Sequence, residues 1–152
     1  RNRSVEFACS AGPAAIVKTV WPEGDRGFAV RARIVPGAQA ANAVYAMEFN
    51  INLLAGDAPD RYYAGPDRVS LGPLRSRLDR AGQREFGLVD EWLGLEFWFR
   101  LDPVGGVWTF PIETVSESEG GFERVFQSSA ILLRWPIRGA TEVVVHAEAR
   151  HR

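Results

Sequence analysis

Aromatic side chains are the residues of this 152-residue chain best suited to ligand chemistry. An indole or phenol ring presents an apolar face to the C–H patches of a sugar ring, while planar polar groups beside it reach the hydroxyls. The chain has five tryptophans and three tyrosines, which is many for its length. As candidate sugar-binding residues we single out Trp92, Trp98 and Trp135, with Asp57, Asp60, Arg61, Tyr62 and Tyr63.

Trp98 is the leading individual candidate. The alternation of the surrounding strand places it on the polar face, between Glu96 and Arg100. In this position its ring would be open to a sugar. The alternative is that this face packs against another sheet or domain, which would make Trp98 interfacial.

The other tryptophans have less distinct patterns. Trp108 shares a face with Phe110 and Ile112, which favours a place in the core. Trp92 and Trp135 lie near predicted strand ends, and either a binding or a packing role fits them. The string 57–63 is expected to form a loop at a strand end, where function is often grafted onto a β fold.

No catalytic or metal site emerges from the sequence. Glycoside hydrolysis needs two carboxylates about 5–10 Å apart, one of them with a raised pKa. Most carboxylates of this chain lie in polar, turn-like strings, where solvated or structural roles are commoner. Asp57 and Asp60 do not form the oxygen-ligand loop of a known calcium motif, and capping of turns is their expected role. No grouping has zinc-ligand spacing. We therefore expect no catalytic residue, metal or cofactor.

Composition limits the partners. The 18 basic and 19 acidic residues nearly cancel, whereas proteins that bind phosphate backbones or anionic membranes usually carry a basic excess. No apolar run approaches the ~20 residues of a membrane-spanning helix. We expect neither nucleic acid nor a membrane as partner.

The single cysteine, Cys9, excludes an intrachain disulfide and favours a reducing compartment such as the cytoplasm. Because residues 1–4 lack an initiator methionine, we expect a fragment of a longer protein.

The elements that must position these residues are strands. Apolar side chains alternate with polar ones at 28–34, 45–53, 93–101 and 143–147, which is the period of half-buried strands. Further strand candidates are 5–9, 16–21, 107–112 and 122–133. Residues 74–84 could form a helical turn or two, or equally a solvated loop. The pattern predicts an all-β fold, an antiparallel β-sandwich, formed by residues 1–152 as a single domain.

Three strings go beyond composition and period. They are EFNINLLAGDAPDRYY at 48–63, GLVDEWLGLE at 87–96, and FPIETVSESEGGFERVFQSS at 110–129 with LRWP at 133–136. In this order they resemble the C-terminal domain of glycoside hydrolase family 57 α-amylases and 4-α-glucanotransferases. The resemblance implies a galactose-mutarotase-like β-sandwich. It also implies that the catalytic pair belongs to an N-terminal (β/α) barrel absent from this chain, so no catalytic residue carries over.

Three functions follow as hypotheses. The first is a non-catalytic accessory domain that supports the catalytic barrel of an α-glucan-processing enzyme and helps to bind α-glucan. The second is an independent carbohydrate-binding module, which requires exposed aromatic rings. The third is a sugar epimerase, which requires a cleft where a carboxylate and a histidine converge. Glu113 is conceivable as a base, but an arginine-held structural carboxylate is the expected role.

Overall fold

The computed structural model describes residues 3–12, 14–40, 42–118 and 121–152. Within these ranges the chain forms ten β-strands and no helix, which confirms the predicted all-β class. The strands are β1 (Val5–Ala11), β2 (Ala14–Glu23), β3 (Gly27–Pro36), β4 (Val44–Ile51), β5 (Arg61–Ala64), β6 (Ser70–Pro73), β7 (Asp79–Asp90), β8 (Leu95–Ser118), β9 (Gly121–Pro136) and β10 (Thr141–His151). Glycine and proline at 12–13 and the glycine pair at 120–121 predict turns, and each pair includes a residue outside the described ranges.

The main sheet has the strand order β1-β2-β3-β10-β8-β7-β5-β6, and β9 with β4 leaves this path at β8. All neighbouring strands are antiparallel. The first part of β8 pairs with β10, where Leu101 lies opposite Val145. The second part pairs with β9, where Val107 lies opposite Leu133. A single strand therefore belongs to both layers of the sandwich.

The passage of β8 from one layer to the other differs from the prediction. The sequence suggested two strands, because Asp102-Pro103 and Gly105-Gly106 are typical of turns. The chain instead continues in strand conformation through these residues. A Cβ atom on Gly105 would lie 2.8 Å from Nε1 of Trp135, and one on Gly106 would lie 2.8 Å from Nε of Arg134. The glycines allow β8 to approach β9 closely where the strand changes layer.

The core lies between the two layers. The Phe49 ring of β4 lies 6.2 Å from that of Phe28 in β3 and 4.8 Å from that of Phe99 in β8. Buried Val30, Ala32 and Ile34 confirm the predicted inward face of β3. Burial of such side chains is the main stabilising contribution to the fold.

Residues 74–84 form a turn followed by the start of β7, and not a helix. The reason lies in their backbone hydrogen bonds. The amide of Leu78 donates to Oγ1 of Thr109 at 3.0 Å, and the Thr109 hydroxyl donates to the carbonyl of Ser76 at 2.9 Å. Strand β8 therefore satisfies groups that a helix would satisfy internally. In the part of the chain described, no helix has the length and hydropathy needed to cross a membrane.

Candidate functional site

Two of the predicted sugar-binding aromatics meet on the outer face of the main sheet, away from the core. Tyr62 in β5 packs against a small apolar cluster formed by Ala64, Val89 and Trp98. The register explains this, because Tyr62 lies opposite Val89 in β7, while Gly87, two residues earlier on the same face of β7, lies opposite Trp98 in β8. Side chains on one face of three neighbouring strands are thereby brought together.

Trp98 does lie on the polar face, but its ring is covered. Only 6% of the residue is exposed. Its indole N–H donates to Oε2 of Glu96 at 2.8 Å, and the guanidinium of Arg68 lies 5.0 Å from the ring centroid. The ring lies against Gly87, where a Cβ atom would be 2.7 Å from it. Trp98 is therefore not an open sugar platform, and its cover comes from a turn of the same domain.

Glu96 is ionised and held in place beneath this cover. Arg68 donates to its Oε2 at 2.7 Å. Burial alone would raise the pKa of Glu96, but the hydrogen bonds from Trp98 and Arg68 outweigh it, and the pKa is lowered. The carboxylate therefore anchors the indole and the guanidinium, and it is not suited to act as a general acid.

The exposed part of the site is at the turn between β7 and β8. The Tyr62 hydroxyl donates to Oε1 of Glu91 at 3.0 Å, and Arg152 also pairs with Glu91. The next residue, Trp92, is 76% exposed. We call Tyr62, Glu91, Trp92 and Arg152 the aromatic edge. It combines an open indole with a carboxylate, a phenol and a guanidinium, which can stack on an apolar ring face and hydrogen-bond hydroxyls.

Charge pairing tunes two groups of the aromatic edge. The hydrogen bonds from Arg152 and then Tyr62 lower the pKa of Glu91. Partial burial, followed by the hydrogen bond to Glu91, raises the pKa of Tyr62. At neutral pH the edge therefore presents an ionised carboxylate beside a protonated phenol.

Asp60 and Arg61 serve to hold the loop in place. Nε of Arg61 donates to Oδ2 of the fully buried Asp90 at 3.0 Å, and Oδ1 of Asp90 accepts the amide of Leu93 at 2.9 Å. The carbonyl of Asp60 accepts the amide of Glu91 at 2.9 Å. These bonds fasten the start of β5 to the turn that carries Trp92.

Three further candidate residues make contacts elsewhere in the structure, and for Trp135 the packing alternative applies. Tyr63 and Trp135 are buried, with the Tyr63 hydroxyl bonded to the carbonyl of Leu74 and the Trp135 indole N–H to that of Pro103. Both rings are therefore part of the core and not available for stacking. Asp57 pairs with Arg75, in the turn that follows β6.

Trp108 was expected in the core and is 43% exposed. Its strand turns this side outward, because the adjacent Val107 and Thr109 are the residues that face inward and are buried. The Trp108 ring is packed against a guanidinium, that of Arg134, 4.0 Å from the ring centroid.

A second site was not singled out from the sequence. A cleft on the outer face of the main sheet, which we call the charged cleft, is lined by Glu23, Glu85, Arg100, His146, Glu148 and Arg150, among others. Alternation did place His146, Glu148 and Arg100 on polar faces. Only the strand order brings them together, since β10 inserts between β3 and β8. Among the described residues, no three His, Cys, Asp or Glu side chains are grouped as metal ligands.

The fold and these surfaces define an all-β sandwich domain with a polar, partly aromatic outer sheet face. Residues 3–148 match the family model of the α-amylase/4-α-glucanotransferase C-terminal domain, and the chain belongs to that family. This confirms the resemblance seen in the three strings.

Two relatives show how the domain relates to longer chains. The chain is 38% identical over 95 residues to α-amylase 1 of Dictyoglomus thermophilum, an alignment covering 58% of this chain and 12% of the relative. The crystal structure of 4-α-glucanotransferase from Thermococcus litoralis shares its fold, with a TM-score of 0.61 and 21% identity. That alignment covers 95% of this chain and 20% of the other. The chain thus spans a small fraction of both relatives.

Proposed function

We propose that this chain is a non-catalytic accessory domain of an α-glucan-processing enzyme, which supports a catalytic barrel and binds α-glucan at the aromatic edge. Membership of the family of α-amylase/4-α-glucanotransferase C-terminal domains supports the enzyme class. The short span of the match on both relatives supports an accessory place beside a larger catalytic part. The observation that carries the binding proposal is the open indole of Trp92 beside Glu91.

The state of the carboxylates supports a non-catalytic role. A glycosidase acid needs a raised pKa. Four carboxyl groups of the described residues have lowered pKa values, each because of hydrogen bonds and nearby arginines; they are Glu91, Glu96, Glu142 and Glu148. Glu113, the conceivable base, lies 3.0 Å from Nε of Arg75 and 3.8 Å from Nη1 of Arg124, which suits a structural ion pair.

The hairpin of β8 and β9 supports a docking role toward the barrel. Within residues 113–118 and 121–126, the two strands pair only with each other. Phe122 is 81% exposed near the tip, and Val115 is also exposed. Exposed apolar side chains on a hairpin whose strands pair only with each other are suited to burial against another domain.

Calorimetric titration with maltoheptaose and amylose tests the binding part of the proposal. We expect saturable binding that Trp92→Ala abolishes and Trp108→Ala leaves intact. The two variants are matched, because each removes an exposed indole from the same domain. Binding that survives Trp92→Ala would overturn the aromatic edge as the site. Absence of binding in the unaltered chain would leave only the scaffold role.

Assays of the same preparation on amylose test the non-catalytic part. We expect neither reducing ends nor transfer products from the chain alone, and either product would contradict the proposal. A mutarotation assay by polarimetry tests the epimerase alternative, which requires a carboxylate and a histidine that are free to act on a sugar. Both carboxylate oxygens of Glu23 are engaged, by Trp21 Nε1 at 3.3 Å and by His146 Nδ1 at 2.7 Å. We therefore expect no acceleration of mutarotation.

A further inference from the structure

The charged cleft joins residues from four neighbouring strands and a strand end. His146 in β10 lies opposite Ala29 in β3 and opposite Arg100 in β8, and Arg100 lies opposite Glu85 in β7. Glu23, at the end of β2, reaches His146. Gly27 also lines the cleft, and a Cβ atom there would lie 2.9 Å from the carbonyl oxygens of Glu23 and Ala147, so the strands approach closely at this point.

Some of the charged groups in the cleft are paired, and two are not. Glu23 is held by Trp21 and His146, and Glu148 accepts from Arg150 at 2.9 Å. Arg100 and Glu85 have no side-chain hydrogen bond or ion pair within the described part of the chain. Arg100 in β8 and Glu85 in β7 lie directly opposite each other, and side chains in such a cross-strand pair are close neighbours on the same face of the sheet.

The charges of the cleft indicate what it can bind. Three carboxylates face two guanidiniums and an imidazole, so an anion or a cation would be repelled by part of the lining. A guanidinium only donates hydrogen bonds and a carboxylate only accepts them, whereas a hydroxyl does both. Adjacent hydroxyls on one ring can therefore satisfy Arg100 and Glu85 together.

We propose that the charged cleft is a second carbohydrate site, which holds one glucose unit of an α-glucan through Arg100 and Glu85. The choice of sugar rests on the proposed function, but the site is separate from the aromatic edge. The buried Trp98 forms part of the wall of the cleft.

The indole N–H signals in a nitrogen–proton NMR spectrum of the whole chain can test this site separately from the aromatic edge. Trp21 reports on the cleft, because its Nε1 bonds to Glu23, whereas Trp92 reports on the aromatic edge. The buried Trp135 serves as an internal reference. Each signal is assigned by a Trp→Phe substitution, and the probe is maltose.

We expect maltose to shift the Trp21 signal saturably. The variants Arg100→Gln and Glu85→Gln should each weaken this response roughly tenfold, because each removes a charge-assisted hydrogen bond. Arg77→Gln, at an exposed arginine in the turn before β7, is the matched control and should leave it unchanged.

The failure of this inference differs from the failure of the proposed function. A Trp92 shift without a Trp21 shift would overturn the cleft site and leave the aromatic edge standing. A Trp21 shift without a Trp92 shift would support the cleft site and overturn the aromatic edge. A Trp21 response that both cleft variants retain, or one produced by inorganic phosphate and not by maltose, would also overturn the assignment.

Discussion

Arg68 and Trp98 are stacked, with the guanidinium 5.0 Å from the indole centroid, and both side chains donate to the same oxygen of Glu96. The arrangement encloses an aromatic ring that belongs to the small apolar cluster on the outer sheet face. It also fixes a carboxylate beside that ring, so that three side chains from two separate segments depend on one another. The consequences can be measured as stability.

Arg68→Ala should lower the free energy of unfolding by about 1–2 kcal/mol, because Glu96 loses its nearer charged partner and the Trp98 ring loses the guanidinium that covers it. The value stays below that of a fully buried pair, since the Arg68 side chain is more than half exposed. Urea unfolding measures it. In a double-mutant cycle, Glu96→Gln should reduce the cost of Arg68→Ala. Equal costs in both backgrounds would show that the two side chains are not coupled.

Acid should weaken the domain through Glu91 and Glu96. Both pKa values are lowered in the folded state from an ordinary value of 4.5. Their contribution to stability is therefore present above that value and is lost as the pH falls through the folded-state pKa values. Urea midpoints measured from pH 6 downward should fall below about pH 4.5. The variant Glu96→Gln should flatten part of this fall, and an unchanged slope would contradict the role given to Glu96.

Gly105→Ala should destabilise the domain by about 1–3 kcal/mol, because the added methyl overlaps its neighbours. Its Cβ would lie 2.8 Å from Nε1 of Trp135 and 3.0 Å from the carbonyl oxygen of Arg134. Gly139→Ala is the control, since nothing lies within 4 Å of a Cβ there. Thermal unfolding compares the two. Similar melting temperatures would show that the point where β8 changes layer tolerates a side chain.

Phe122→Ser should reduce self-association of the isolated chain. The exposed ring near the hairpin tip gives one copy an apolar surface to bury against another. Sedimentation velocity at several concentrations measures this, and the melting temperature of the monomer should change little. Trp92→Ser is a control for loss of an exposed aromatic ring elsewhere. Self-association that persists in Phe122→Ser would exclude the hairpin as the contact.

The strands with clean alternation could be predicted from the sequence, because a period of two reports which face is buried. The start of β7 could not. Its residues 79–84 carry no apolar alternation, and they become a strand because β8 offers them backbone partners. The continuity of β8 was also missed, since Pro103 and Gly105 are compatible with a turn as well as with a bent strand.

The exchange of roles between Trp98 and Trp108 has one physical cause. Alternation assigns a side chain to a face but does not tell what covers that face. Arg68 from a distant turn covers Trp98, while Trp108 remains 43% exposed beside Arg134. The charged cleft could not be predicted from the sequence for a related reason. Its residues come together only through the order of strands that are far apart in the sequence.

The position of β10 has a consequence for how the domain is made. This strand follows the other described strands in the chain, yet it occupies the interior position between β3 and β8. During synthesis on the ribosome, those two strands emerge without the neighbour that joins them, and their inner edges stay unpaired. We therefore expect a slow, late folding step in which β10 pairs with β3 and β8. Until that step the edges of β3 and β8 are exposed, and chaperones can bind them.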